Sequence, residues 1–235
     1  MYKKLLRRLL LTFAGLTAIL VVLVILTPQG QAAFRAALFI PQILPGVPIK
    51  PQEWFTPDPT REAIRYPLAN GEGEADLYLP GRGVRHSAVM FFQGVVPGGR
   101  YDPRIVALGE GLARSGMVVM IPWSTTQIEQ RIDPDDVDVL VRAFQYLQTL
   151  DSVDPDRVGM GGICVGASLA TVAAQDERVR DQVRFVNSFA GYYDAADLAK
   201  AIGSRSRFGE DYVVPWNPDS LTRRVFGHHP PDTDA

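Results

Sequence analysis

The sequence predicts an α/β fold with a doubly wound, mostly parallel sheet, preceded by one N-terminal transmembrane helix. Three observations support this prediction. Short apolar runs alternate with segments of helical spacing from residue 87 to residue 189, as in sheets covered by helices on both faces. A cysteine between two glycines follows one of these runs and opens a helix of small residues. An uncharged apolar stretch lies near the N-terminus.

The apolar stretch covers residues 9–26, and at about 1.5 Å per residue it reaches roughly 27 Å, close to the hydrocarbon thickness of a bilayer. Four basic residues precede it: Lys3, Lys4, Arg7 and Arg8. Only Arg35 follows soon after, so the positive-inside rule places the N-terminus in the cytoplasm and the folded domain outside. We therefore expect residues 1–27 to anchor a single-pass protein in the lipid bilayer of the cell membrane. A cleaved signal peptide is the alternative, although its apolar run is typically shorter.

Residues 28–60 are predicted to be a proline-rich juxtamembrane connector. We expect no helix or strand to run far in it, because prolines interrupt it throughout. These are Pro28, Pro41, Pro45, Pro48, Pro51, Pro57 and Pro59. Residues 32–40, together with Trp54 and Phe55, fit a short amphipathic turn on the membrane surface, and they equally fit a position covering the folded domain.

The folded domain is predicted to span residues 61–200. Alternating residues at 63–68 and 74–79 flank an Asn-Gly-Glu-Gly sequence and predict an antiparallel hairpin at the edge of the sheet. The later predicted strands are residues 87–92, 117–121, 157–161 and 183–189, and the predicted helices are residues 102–115, 165–174 and a helix opening at Asp133. This alternation is typical of right-handed βαβ units. The strands at 87–92 and 117–121 are expected beside, or nearly beside, the strand at 157–161.

Cys164 lies in the sequence Gly162-Ile163-Cys164-Val165-Gly166, which has the spacing of a nucleophile elbow. A turn this tight needs small residues two before and two after the nucleophile, and it gives the nucleophile a strained backbone. The helix that follows directs its N–H groups and the positive end of its dipole at the sulfur, which favours the thiolate. A thiolate attacks an acyl carbon, and water then releases the thioester. The alternative, a small buried hydrophobic residue, leaves the flanking glycines unexplained.

Three motifs in this order resemble those of α/β-hydrolases and, within them, the dienelactone hydrolase branch. They are Asp154-Pro155-Asp156-Arg157-Val158-Gly159, the elbow itself, and Gly191-Tyr192-Tyr193. The resemblance covers residues 74–198, a little over half of the chain. It implies a hydrolase that cleaves a small-molecule ester, lactone or thioester through a cysteine nucleophile and uses no cofactor.

The resemblance also implies an oxyanion hole made by the backbone N–H groups of Val165 and Val95. Val95 belongs to the loop at residues 93–99, where Gln93-Gly94 stands in the place of the His-Gly of many hydrolases. A flexible glycine-rich turn is the alternative for this loop.

The rest of a catalytic triad is harder to place. In this fold the acid and the histidine follow the nucleophile on loops after further strands, and no convincing strand is predicted after residue 189. His86 precedes the elbow and is expected at the surface, at the other end of its strand. Asp194 could orient a histidine, but its position favours capping a helix at residues 195–202.

His228 and His229 follow the elbow in the expected order and are therefore the candidate bases. They lie in a segment, residues 201–235, predicted to be cap-like or disordered, whereas a base must be held within hydrogen-bond reach. The same tail contains Asp232 and Asp234, but it lacks a scaffold that would fix ligand geometry, so no metal site is predicted.

We therefore expect a membrane-anchored α/β-hydrolase that acts through Cys164, is incomplete at its C-terminus and is nearly inactive as this chain. The alternative is a catalytically dead, membrane-tethered module that binds a ligand or partner. The glycines at 159–162 do not fit a dinucleotide fingerprint. When the four basic residues at the N-terminus are set aside, the rest of the chain has a small net negative charge. This charge gives no electrostatic reason to expect nucleic acid as a partner. A single cysteine excludes an intrachain disulfide.

Overall fold

A computed structural model of the chain describes residues 2–227. Its backbone forms two compact units, Met1–Thr56 and Pro57–Ala235, which are called here the helical unit and the sheet unit. The helical unit contains the helices α1 (Tyr2–Leu26), α2 (Pro28–Ile43) and α3 (Gln52–Phe55).

The transmembrane helix predicted at residues 9–26 lies within α1. Among the residues that the structure describes, no helix by itself has both the length and the apolar character needed to cross a membrane. The bent pair Arg8–Val24 and Pro28–Ile43 meets that requirement together, by length and composition alone. Membrane insertion of this segment therefore stays a prediction.

The expectation that prolines prevent a long helix in residues 28–60 is wrong, because α2 runs for 16 residues. Pro28 occupies the first turn of α2, where an N–H group has no partner within the helix and where the fixed φ of proline suits the helix. Pro41 lies in the last turn, so it disturbs only the end of the hydrogen-bond ladder.

Thr27 makes the bend between α1 and α2. It is extended, with φ −107° and ψ 139°, as the residue before a proline prefers. Its hydroxyl donates to the carbonyl oxygen of Leu23 at 2.6 Å and accepts from the N–H of Gly30 at 3.0 Å. A Cβ on Gly30 would strike that same Leu23 oxygen. The first turn of α2 is therefore packed closely against the last turn of α1.

The sheet unit is built on a six-stranded sheet of order β1-β2-β4-β3-β5-β6. The strands are β1 (Thr60–Pro67), β2 (Glu72–Leu79), β3 (His86–Phe92), β4 (Met117–Trp123), β5 (Val153–Ile163) and β6 (Val186–Phe189). β2 pairs antiparallel with β1 and with β4, and the other three pairs are parallel. The predicted mixed α/β fold with its antiparallel edge hairpin is confirmed. The predicted position of the elbow strand is also confirmed, because β5 lies directly beside β3 and is separated from β4 by β3 alone.

Helices cover both faces of this sheet. The helices of the unit are α4 (Pro103–Arg114), α5 (Thr125–Ile128), α6 (Asp136–Thr149), α7 (Val165–Ala173), α8 (Ala195–Ser204) and α9 (Ser220–Gly227). Along β3, Ala88, Met90 and Phe92 join an apolar cluster with residues of α6 and α7. Val89 and Phe91 point the other way and join a second cluster with residues of α4. This alternation explains why β3 is apolar throughout.

The expectation of no further strand after residue 189 is wrong. β7 (Ser206–Phe208) and β8 (Val213–Pro215) pair antiparallel as a small separate sheet. Each has three residues, which is too short for a period of two to be recognised. Residues 201–227 of the predicted cap-like or disordered segment thus contain helix and strand, and His228 and His229 lie outside the described residues.

Candidate active site

Cys164 lies between the end of β5 at Ile163 and the start of α7 at Val165. Its φ of 58° and ψ of −135° are rare for a residue other than glycine. Its N–H donates to the carbonyl oxygen of Phe189 at 2.9 Å, and its own carbonyl accepts from the N–H of Ala167 at 3.0 Å. The side chain is exposed. The predicted sharp turn with a strained backbone is confirmed, and the thiol projects from the carboxyl edge of the parallel strands.

The glycines on either side of Cys164 are needed because the end of β3 lies against the turn. A Cβ on Gly166 would strike the carbonyl oxygen of Phe92 and the backbone nitrogen of Gly94. A Cβ on Gly162 would lie 2.6 Å from the carbonyl oxygens of Phe92 and Gly166. These neighbours are backbone atoms, so no side-chain movement could make room.

The loop after β3 therefore lies beside the elbow. Gly94 has φ +72°, and a Cβ there would lie 2.9 Å from the carbonyl oxygen of Ile163 and 3.0 Å from the nitrogen of Gly166. Val165 is buried and Val95 half-buried, and both belong to the same apolar cluster. The two predicted oxyanion donors thus lie on adjoining backbone segments, while their role in binding an oxyanion stays a prediction.

A second loop, after β6, also reaches the elbow. Ala190 has a positive φ of 55°, and the chain then meets α7 at Ser168. The Ser168 hydroxyl donates to the carbonyl oxygen of Tyr192 at 3.0 Å and accepts from the N–H of Tyr192 at 2.9 Å. Burial raises the pKa of the Tyr192 phenol, and the negative charge of an ionised Cys164 adds to that rise. Tyr192 is therefore a neutral phenol in a loop that contacts the helix of the elbow. No role was predicted for it from the sequence.

Polar side chains also gather at the carboxyl edge of β3 and β4. Gln93, directly after β3, is buried, and its Oε1 accepts no hydrogen bond from the described part of the chain. After β4, the buried Asp136 carboxylate accepts from the Thr126 hydroxyl at 3.0 Å. Burial raises the pKa of Asp136, although its hydrogen bonds from Ser124 and Thr126 oppose the rise. Sequence patterns gave no role to this group.

The other predicted candidates are not brought to the elbow. His86 opens β3 and pairs with Val153 at the start of β5, whereas Phe92 pairs with Gly162 at the end; His86 therefore lies at the opposite edge of the sheet. Asp194 caps α8 by accepting from the N–H groups of Ala196 at 2.7 Å and Asp197 at 3.0 Å, as its position predicted. Across residues 2–227, no three His, Cys, Asp or Glu side chains are grouped so as to hold a metal ion.

No protein-family model matches the chain, and no curated protein matches it. Among solved structures it is similar to an acylaminoacyl peptidase of Pyrococcus horikoshii, with 16% identity over 72% of this chain and 29% of the other and a TM-score of 0.48. It is similar to a thermostable carboxylesterase cloned from a metagenomic library, with 18% identity over 68% of this chain and 53% of the other and a TM-score of 0.42. It is also similar to an alpha/beta hydrolase of Penicillium sp., with 16% identity over 51% of this chain and 43% of the other and a TM-score of 0.43.

The chain thus spans between 29% and 53% of the length of these three solved structures. They are hydrolases by name, and the similarity assigns no residue role and no substrate to this chain.

Proposed function

We propose that this chain is a membrane-anchored hydrolase of the α/β-hydrolase type, similar to the dienelactone hydrolase branch, in which Cys164 attacks a small ester, lactone or thioester. The observation that carries the proposal is the backbone of Cys164. Cys164, a residue other than glycine, is held at φ 58° between a parallel strand and a helix N-terminus, and its thiol is exposed. Strained positions of this kind concentrate at functional sites, where a side chain must be presented in one direction.

The chemistry proposed for the site follows from its neighbours. The Cys164 thiolate forms a C–S bond to the acyl carbon, and the carbonyl electron pair moves onto the oxygen, which becomes an oxyanion. The N–H groups of Val165 and Val95 donate to that oxyanion. The oxyanion then collapses, the alcohol or thiol leaves with a proton, and water hydrolyses the acyl-cysteine. His228 and His229 are the candidates for the base that takes the thiol proton and later activates the water.

One observation favours a second candidate function, a catalytically dead module that binds a ligand or partner. Within residues 2–227 the one histidine is His86, which lies at the edge of the sheet opposite Cys164. A thiol without a positioned base loses the contribution of base catalysis to both acylation and hydrolysis of the acyl-cysteine. The two functions are separated by whether an acyl group reaches Cys164.

The test is incubation of the full chain with a small activated ester, followed by both product release and the mass of the intact protein. We expect an acyl adduct that forms on Cys164 and disappears slowly. The reason is that the described histidine, His86, lies at the opposite edge of the sheet, and base catalysis typically contributes about 10²–10⁴-fold to such steps. The Cys164→Ala variant should form no adduct. A His228→Ala/His229→Ala double variant is the comparison for the base.

Each result has a distinct meaning. Fast turnover that is lost in both variants would assign the base to His228 or His229. Hydrolysis that is unchanged by Cys164→Ala would show that the nucleophile is wrong. A chain that binds the ester without acylation at Cys164 would be the binding module instead of the enzyme.

The proposed anchor is α1. The described large apolar side chains of residues 9–26 are exposed along nearly its whole length, among them Leu10, Phe13, Leu16, Ile19 and Leu23. In water this exposure would be unfavourable, whereas in lipid it is expected. The basic residues ahead of the segment favour a cytoplasmic N-terminus and an extracytoplasmic sheet unit.

The orientation is tested by fusing to the C-terminus a reporter that is active only outside the cytoplasm. We expect reporter activity in the membrane fraction. Activity in the soluble fraction would instead support cleavage after the apolar run. An inactive reporter would show that the sheet unit lies in the cytoplasm.

A further inference from the structure

α2 carries an apolar face that its own unit leaves exposed. Ala33, Ala37 and Ile40 recur at intervals of four and three residues, which places them on one side, and Leu44, the C-cap residue, follows Ile40 by four residues. Ile40 is 51% exposed and Leu44 45%. Phe34, at the flank of this side, is 49% exposed. These residues are called here the α2 apolar face.

Beyond the first turn of α2, which packs against α1, the protein partner of α2 within the helical unit is α3, and it lies on the other side. Gln42 stands two residues after Ile40, about 200° around the helix, and it is buried. Its Nε2 donates to Oε1 of Glu53 in α3 at 3.2 Å. The Lys50 ammonium donates to the carbonyl oxygens of Pro41 at 2.8 Å and Gln42 at 2.9 Å, which ties the following chain to the helix C-terminus. The contacts of α3 and Lys50 thus leave the α2 apolar face uncovered.

The axis of α2 is set by the bend at Thr27, where α1 and α2 meet at 96°. The Thr27 hydroxyl bonds to both helices, and Gly30 lets them pack closely. If α1 crosses the bilayer along its normal, α2 lies close to the plane of the membrane surface.

The charge on α2 fits that position. The helix has one charged residue, Arg35, and no acidic residue. Arg35 is exposed and lies on the side opposite the α2 apolar face. A helix lying in a membrane interface keeps its apolar face among the acyl chains and its basic residues toward the phosphates, and Arg35 fits the second condition.

We propose that α2 lies in the extracytoplasmic surface of the bilayer with Ala33, Ala37, Ile40 and Leu44 in contact with lipid acyl chains. This rests on the proposed anchoring of the chain by α1. The occupant of the face is lipid because α2 is packed at the bend against α1, whose apolar side chains are exposed as those of a lipid-embedded helix are.

The test places a fluorescent label at single cysteines of the full chain, in a Cys164→Ala background, reconstituted in phospholipid nanodiscs. The matched pair is Ala37→Cys on the apolar face and Arg35→Cys about 160° away on the opposite side. Leu16→Cys in α1 reports on the anchor itself. Quenching is measured with lipids that carry a nitroxide either just below the headgroup or near the end of the acyl chain.

We expect the shallow nitroxide to quench the label at position 37 about twofold or more strongly than the label at position 35, because an interfacial helix buries only its apolar face, about 5–10 Å deep. The label at position 16 should be quenched best by the deep nitroxide. Equal and weak quenching at positions 35 and 37, with position 16 still quenched, would overturn the surface position and leave the anchor intact. Strong deep quenching at both positions would show a re-entrant α2 and also overturn the proposal. Weak quenching at all three positions would show that α1 does not anchor the chain.

Discussion

Replacing Asp76 with alanine is expected to lower the free energy of unfolding of the sheet unit by about 3 kcal/mol, the cost of removing one partner from a buried ion pair. Asp76 lies in β2 and is 2% exposed. Its oxygens accept from Arg61 at 2.8 Å, Arg100 at 2.7 Å and the Trp123 indole at 3.0 Å. We place the effect at the low end for a buried pair because both guanidinium groups reach solvent and recover part of their hydration.

The control for this variant is Glu72→Ala in the same strand. Glu72 pairs with Arg65 at 3.4 Å, and both side chains are mostly exposed, so its loss should cost less than about 1 kcal/mol. Denaturant titration of the two variants and the parent chain gives the comparison. Equal losses for Asp76→Ala and Glu72→Ala would show that the buried cluster adds nothing beyond a surface pair.

The same cluster predicts a pH dependence. Burial by itself would raise the pKa of the Asp76 carboxyl, but the hydrogen bonds from Arg100 and Arg61 outweigh burial and lower it. A carboxyl whose pKa is lower in the folded state stabilises the fold above its unfolded pKa, about 3.9, and this contribution is lost as the pH falls through the folded pKa. The difference in stability between the parent chain and Asp76→Ala should therefore shrink toward acidic pH, and a constant difference would contradict this assignment.

Replacing Gly166 with alanine is expected to destabilise the sheet unit by about 3 kcal/mol or more, as overpacking does where nothing can move aside. The new methyl group would meet the carbonyl of Phe92 and the nitrogen of Gly94, which are both backbone. Either the turn at Cys164 or the end of β3 must shift. Because both carry the proposed site, labelling of Cys164 by a thiol reagent should change together with stability.

Gly203→Ala is the matched control, since Gly203 also lies in a helix, α8, and the nearest atom to a new Cβ there is 3.9 Å away. Alanine is favoured over glycine inside a helix by about 0.5–1 kcal/mol, so this variant should be neutral or slightly more stable in the same denaturant titration. A Gly166→Ala protein as stable as Gly203→Ala would mean that β3 does not press on the elbow.

The features that could be predicted from the sequence are those decided by neighbouring residues. The elbow needs small residues at two positions around Cys164, and both requirements lie within five consecutive residues. The cap of α8 by Asp194 is equally local, since its partners are Ala196 and Asp197. Apolar runs located β3 and β4 because each of these strands is buried on both faces.

The features that could not be predicted depend on distant residues. Asp76 lies 15 residues from Arg61, 24 from Arg100 and 47 from Trp123. The pairing of β2 with β1 and with β4, together with the return of the loop after β3, brings them together. The contact between Ser168 and Tyr192 also joins residues far apart in the sequence, which are 24 positions apart. The length of α2 was missed for a different reason: proline ends a helix or is tolerated in it according to its position, and the position is known only once the ends of the helix are known.

The backbone of Cys164 has a consequence for how this sequence could change over time. Glycine adopts a positive φ freely, whereas other residues held in sparsely populated backbone regions typically give up about 1–3 kcal/mol. A redesign that considers folding stability alone would therefore favour glycine at position 164. Cysteine at this position lowers the stability of the fold relative to glycine. A glycine substitution made for stability would therefore remove the thiol that the proposed function needs.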